Sequence, residues 1–387
     1  MQTRRGTMAT LAGAGALLGT PGRLLGQEPK PANVDLTGGL PIEREFVLAE
    51  RPSDPEMRDA VNVWIEEANG NFGMRIGVEA VGASWDKQTV WLDLALSDGR
   101  VFSYRSEADP IHSPLNAAGD PMVRGAGPAR FECVEPFKLW TAAFDGTAGL
   151  FSAQQLIDDP DAAATRQHPV SCKVDLMPCV PPWVPGSMLP SAKEAMKGKQ
   201  GEMISPRYEQ LCRAKGTLRV GDGEFTFEGQ ALRIRRQGIR RLGTFWGHCW
   251  QSAVFPSGKA FGFNAFPPRK DGKPSYAEGY VFDSEGKLVP ARPVSIPWMH
   301  TLVAGDEHVP LVLETLDGRR IAIDGQSYVN VRSRSMIQVP PDFPIVAQSH
   351  ATYRWGDEEA SGMMERSTLP DAMLLTDRST HHLRQQA

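Results

Sequence analysis

The sequence predicts an all-β protein built from antiparallel hairpins. Turn dipeptides of the Asn-Gly and Asp-Gly kind recur between runs of β-branched and aromatic residues. Those runs are short, about 5–8 residues and so roughly 17–26 Å as strands. Helical periodicity is scarce, and 38 glycines and 31 prolines in 387 residues add turns and disfavour long helices. Strands of this kind close into barrels or stack into sandwiches.

Taken in order, the chain opens on a targeting pattern. Arg4-Arg5 precede a mildly apolar run over 8–18 that is too short and too Gly-rich to span a bilayer. The pattern fits a twin-arginine export signal over residues 1–27, so the expected destination is periplasmic or secreted. Gly13-x-Gly15 lies inside it and lacks the flanking strand and helix of a dinucleotide fingerprint. Hairpin turns then follow at Asn69-Gly70, Asp98-Gly99, Gly221-Asp222-Gly223, Ser257-Gly258, Glu285-Gly286 and Asp317-Gly318. Asp-Gly suits positive φ at both central positions and matches the twist of paired strands. Short helices are expected over 152–159 and 191–199.

Five prolines between Pro178 and Pro190, then a Lys-rich polar run, mark a linker or crossover. The expected division is an N-terminal β domain over 28–177, the crossover over 178–204, a C-terminal β domain over 205–370 and a tail over 371–387. The boundary itself is expected near residue 200.

Net charge is −4, and no basic surface of the kind nucleic acids require is expected. No segment is apolar for long enough to cross a membrane as a helix. The five cysteines form no C-x-x-C pair. In an exported protein Cys172 and Cys179 are near enough in sequence to pair, while Cys249 reads as a buried thiol. The histidines show no metal-ligand spacing, and there is no G-x-S-x-G, P-loop or H-E-x-x-H. No metal or cofactor is expected.

Three segments, "FECVEPFKLWTAAFDGTA", "RYEQLCRAKGTLRVGDGEFTFEGQALR" and "FWGHCWQSAVFPSGKAFGF", resemble a bacterial family of lipocalin-like proteins. That family groups with AttH-like proteins, carotenoid 1,2-hydratases (hydroxyneurosporene synthases) and, further off, tocopherol cyclases. The similarity covers most of 45–370 and is firmest over 208–266. It implies two lipocalin-like β-barrel halves packed together around an apolar cavity for an isoprenoid-type molecule. The hydratases carry a His-x-Trp and a Tyr-x-Asp pair. His248-x-Trp250 fits the first; Tyr276-x-Glu278 fits the second with Glu for Asp. Leu242-Gly243-Thr244-Phe245 departs from the Arg-Asp-His-Ser of other relatives.

On a strand, Trp246, His248 and Trp250 share one face, and Gly247, Cys249 and Gln251 the other. The cost of leaving indole in water favours the Trp face inside a barrel, with Phe261 and Phe263 completing the lining. The alternative is a packed core in which His248 is only hydrogen-bonded. Tyr276, Glu278 and Tyr280 form a second alternating face; inside a cavity Glu278 would be kept neutral, and on an exposed strand it would be solvated. Glu365 in "GMMERS" is a further cavity carboxylate or an Arg partner. The run "RIRRQGIRR", with Arg233, Arg235, Arg236, Arg240 and Arg241, is either an anion grip or a solvated strand edge.

Together these residues suit protonation of an alkene by Glu278 or protonated His248, with Tyr276 and the indoles facing the cation. The expected function is a cofactor-independent hydratase or isomerase for a terpenoid, carotenoid or steroid-like substrate. The alternatives are a non-catalytic carrier of the same ligands, and a structural protein whose halves bury each other.

Overall fold

The computed structural model describes residues 34–110, 112–197, 206–241, 246–268, 272, 275–284, 286–334 and 343–372. The expected signal at 1–27, the end of the second expected helix at 198–199, the 242–245 departure, Glu285 of one expected turn and most of the tail lie outside them.

Strands Met57–Glu67 (β1), Phe72–Val81 (β2), Gln88–Leu96 (β3), Arg100–Ala108 (β4), Val123–Ala126 (β5), Ala129–Glu135 (β6) and Leu139–Ser152 (β7) lead to helix α1, Ala153–Asp158. Next come Arg166–Pro178 (β8), helix α2 at Pro190–Met196, Arg207–Val220 (β9) and Gly223–Ile239 (β10). Gly247–Val254 (β11), Lys259–Ala265 (β12), Ala277–Asp283 (β13), Val289–Ser295 (β14), Glu307–His308 (β15), Leu311–Thr315 (β16), Arg320–Arg332 (β17), Ile345–Trp355 (β18) and Glu358–Thr368 (β19) complete the chain. The expected hairpin turns join antiparallel neighbours, and Gly70, Gly99 and Gly258 take the positive φ that makes glycine the fitting residue there.

The strands form two sheets. In the first, β4-β3-β2-β1-β10-β9-β8-β7 is an antiparallel ring closed by β7 pairing with β4, and β6 and β5 extend it. In the second, β17-β16-β14-β13-β12-β11-β19-β18 is a ring closed by β17 pairing with β18. The protein is therefore all-β with a two-barrel, lipocalin-like architecture. The sheets meet in sequence between Ile239 and Gly247, not near residue 200: β9 and β10 follow the proline-rich crossover yet belong to the first ring. A long connection lets the chain return and close the barrel it had left.

Alternation along each strand separates a lumen face from an outer face. In the first barrel Val61, Met74, Leu92, Phe102, Phe144 and Val174 pack inward. One end is occupied by the turn Ile42–Glu45, where Glu45 accepts from Arg233 Nη2 at 2.9 Å and from Trp140 and Tyr208. Arg235 and Arg124 share Asp59. The second lumen is filled by Cys249, Ala253, Phe261, Phe263, Leu313 and Tyr353.

This reverses one expectation. The Cys249–Gln251 face of β11 points into the barrel, while His248 and Trp250 point out of it. Trp250 is still buried, because the outer face is covered by the first barrel: Trp250 packs with Trp64, Leu211 and Leu232 from that side. Burying an indole requires only that water be excluded, and a second domain does this as well as a lumen. None of the five cysteines forms a disulfide, Cys172 and Cys179 included.

Candidate functional site at the seam between the barrels

The seam is built from register. On the first barrel one row of outward side chains reads Glu79, Ala60, Arg236, Arg207 across β2, β1, β10 and β9. The next reads Trp91, Gly77, Asn62, Ile234, Glu209 across β3 to β9, and the third Asp93, Arg75, Trp64, Leu232, Leu211. On the second barrel the facing row is Glu278, Asn264, Trp250, Glu365, Gln348 across β13, β12, β11, β19 and β18. His248 and Ser367 pair in the row beside it.

Two glycines make room for close approach. A Cβ on Gly77 would stand 2.0 Å from the Trp91 ring, and one on Gly73 would stand 2.0 Å from His350 Nδ1. Trp91 lies across its own sheet, and the second barrel's imidazole reaches the backbone of β2.

The barrels touch through indoles and ion pairs. Trp64 and Trp250 meet edge to face at 6.3 Å, an arrangement that adds about 0.5–1.5 kcal/mol to the area they bury. Trp250 Nε1 donates to Glu209 at 3.0 Å, and Arg207 both pairs with Glu209 at 2.6 Å and lies over the Trp250 ring at 5.2 Å. Arg105 pairs with Asp93, and the Gln348 amide nitrogen of the second barrel donates to the same carboxylate at 3.3 Å.

Two histidine–carboxylate pairs lie in this seam. His248 Nδ1 is 2.6 Å from Ser367 Oγ and its Nε2 is 3.1 Å from Glu365 Oε1. Burial raises the Glu365 carboxyl, but the His248 hydrogen bond and the charges of His248 and Arg75 outweigh it and hold the group at about 2. With Glu365 ionised, Nε2 donates to it, and Nδ1 is left to share a hydrogen bond with the Ser367 hydroxyl. In the second pair His350 Nδ1 meets both Glu66 oxygens at 2.8 and 2.9 Å, and Tyr328 donates to Glu66 at 3.0 Å. Here burial dominates and raises Glu66. Gln348 lies between the two pairs: it neighbours Glu365 across β18 and β19 and stands two residues from His350 on one face of β18.

Glu278 is elsewhere in function. Its Oε2 accepts from Trp183 Nε1 at 3.1 Å and from the Gly186 N–H, and its Oε1 from the Met188 and Leu189 N–H groups at 2.8 and 2.7 Å. Tyr276 donates a longer bond of 3.4 Å. This carboxylate anchors the proline-rich crossover and is an acceptor several times over. Tyr276 packs with Leu189, Phe266 and Trp246, while Tyr280 meets Trp183. Trp246 donates to the Pro267 carbonyl at 3.0 Å. The expected site thus divides: His248, Trp250 and Glu365 in the seam, Phe261 and Phe263 in a filled lumen, Tyr276, Glu278 and Tyr280 at the crossover.

The basic run divides too. β10 is a central strand, paired with β1 and β9, so a solvated edge is ruled out for it. Arg233 and Arg235 enter the lumen and Arg236 the seam; Arg241 lies outside with Glu56 at 2.6 Å. Glu66, Trp64, Arg75, Gln348, His350 and Ser367 escaped sequence reasoning. The one available signal was "VNVWIEE", where Asn62, Trp64 and Glu66 alternate with aliphatics. Away from the seam, an open groove of about 500 Å³ is lined by Phe266, Ser275, Ile296 and Trp298, without a titratable side chain.

Fold and seam together define a double-barrel β protein with two histidine–carboxylate pairs between the barrels. The chain belongs to the family DUF7064, a domain of unknown function, whose model matches residues 51–370. Among solved structures it is similar to a protein of Nitrosomonas europaea named as an AttH, at TM-score 0.52 and 14% identity, over 83% of this chain and 98% of that one. CghA with Sch210972 gives TM-score 0.47 and 10% identity over 81% and 89%. Kievitone hydratase from Nectria haematococca gives 0.45 and 8% over 88% and 97%. At these identities the first likeness is one of fold. No curated protein matches the chain. No helix among the described residues is long and apolar enough to cross a membrane.

Proposed function

We propose that this protein is a cofactor-independent enzyme of the hydratase or isomerase type. It acts on a hydrophobic, isoprenoid-like small molecule, in the seam rather than in a barrel lumen. One observation supports this above others: two imidazole–carboxylate pairs share the seam, and their carboxyl groups are shifted in opposite directions. Titratable groups pushed apart by their surroundings are how one site supplies both an acid and a base.

In this reading Glu365, ionised, stabilises a protonated His248, which gives its proton to an alkene carbon by way of the Ser367 hydroxyl. The C–H bond forms as the π bond opens, and the cation faces the Trp64 and Trp250 rings, each worth about 0.5–2 kcal/mol. His350, held by Glu66, takes a proton either from a water that adds to the cation or from the adjacent carbon. The first outcome is hydration and the second isomerisation. Export through residues 1–27 belongs to the same reading, and cell fractionation tests it.

The test is incubation with a hydrophobic extract in H₂¹⁸O and, separately, in D₂O, followed by mass spectrometry. Isotope enters a product with the native chain and falls by about 10²-fold or more in His248→Ala and in His350→Ala. A ligand recovered bound, unchanged and unlabelled would make the protein a carrier instead.

A further inference from the structure

We propose that the seam takes the carboxylate of an amphipathic small molecule, held by Arg75, Arg236 and Arg240. The inference rests on the seam being the reaction site and adds the class of substrate.

It starts from a contrast along one strand. Arg233 donates to Glu45, Gln210 and Tyr208, and Arg235 to Asp59 and two carbonyls besides that of Phe46. Arg236 and Arg240 donate no hydrogen bond to any described residue. Arg236 is only 7% exposed, and its nearest carboxylate oxygen, on Glu79, is 3.7 Å away across the small Ala60. Arg75 has a single polar partner, the Gln348 amide oxygen in its satisfied orientation. Its guanidinium lies over Trp64 at 5.3 Å and over Trp91 at 5.2 Å, which fixes its plane.

The unpartnered groups are lopsided. Buried donors without an acceptor include Nε of Arg75, Arg236 and Arg240 and the indole N–H groups of Trp64 and Trp91. Against them stand three acceptors, Asn62 Oδ1, Glu79 Oε1 and, on the facing row, Asn264 Oδ1. A surplus of N–H donors is complemented by a group that only accepts, and buried polar groups in folded proteins are nearly always paired. Burial and neighbouring arginines lower Arg236 and bring Arg240 to about 10 even though Glu79 acts on both and Glu365 on Arg240 in the opposite sense, so an anion placed among them relieves what repulsion those carboxylates leave. Planar guanidinium forks match a two-oxygen planar acceptor, and the flanking indoles suit an apolar body.

The experiment compares 1-naphthoate, 1-naphthalenemethanol and 1-naphthyl phosphate by calorimetry on the full chain in about 50 mM salt. The acid binds about tenfold or more tightly than the alcohol, as charged hydrogen bonds require. The preference shrinks to about twofold in Arg236→Gln and Arg240→Gln and persists in Arg240→Lys. Naphthoate raises the melting temperature of the native chain but not of Arg240→Gln, a readout that also reports folding. Equal affinity for acid and alcohol, no binding of either, or a preference that survives both Gln variants overturns the proposal. A tenfold preference for the phosphate ester overturns the carboxylate assignment. Acid preference without isotope incorporation would remove the reaction and leave the subsite standing.

Discussion

At the scale of single residues, Glu365 and Glu278 show how environment assigns a role. Both lie in one register row of the second barrel, and both were legible as carboxylates among apolar neighbours. Glu278 is engaged by backbone and indole N–H groups, whereas Glu365 faces an imidazole and arginines. The second arrangement couples folding to pH. The Glu365 carboxyl is lowered in the fold from 4.5 to about 2. Its stabilising contribution is therefore full above the unfolded value and lost as pH falls from about 4.5 toward 2. Urea unfolding at pH 3, 4, 5 and 7 should show this acid-side slope, and Glu365→Gln should flatten it while lowering stability at pH 7. An unchanged slope in the variant would mean that the carboxyl is not the coupled group.

At the scale of elements, the crossover is the part that composition described least well. Five prolines identified a segment without regular pairing, but not that Trp183 would bridge to β9 and fill the seam. Proline removes N–H donors; the donors that remain at Gly186, Met188 and Leu189 all turn to one side chain of β13. Glu278→Gln replaces one acceptor oxygen with an NH₂ group facing backbone N–H groups. Leaving buried donors unsatisfied costs about 1–3 kcal/mol each, so a loss of roughly 2–5 kcal/mol is expected in chemical denaturation. A loss under about 0.5 kcal/mol would show that the segment is held by packing alone.

At the scale of the molecule, the first barrel needs two strands that a division at residue 200 would give to the other half. A fragment ending at 204 lacks β9 and β10 and leaves β1 and β8 as unpaired edges. Such edges template aggregation. Expressed alone, 28–204 should be insoluble or unfolded by circular dichroism, whereas 28–241 retains every strand of the first ring. The latter still exposes the seam, whose indoles and aliphatics are covered only by the second barrel. Soluble, folded 28–204 would contradict the ring as described.

Local chemistry was readable wherever it is decided within a few residues. The hairpin turns, the strand alternation, the two short helices and the pairing of Trp250 with His248 on one face all follow from φ preferences and the two-residue repeat. Which face of β11 is the lumen does not follow, because alternation distinguishes two sides without naming them. For the same reason "RIRRQGIRR" divided its arginines between a lumen and a seam, and His350 met Glu66 across 284 positions. The amino-acid sequence by itself determined that this is a hairpin-rich β protein with aromatic and ionisable residues on shared faces. Only the tertiary structure decided where those faces are buried, because a second barrel, not solvent, covers the outside of the first.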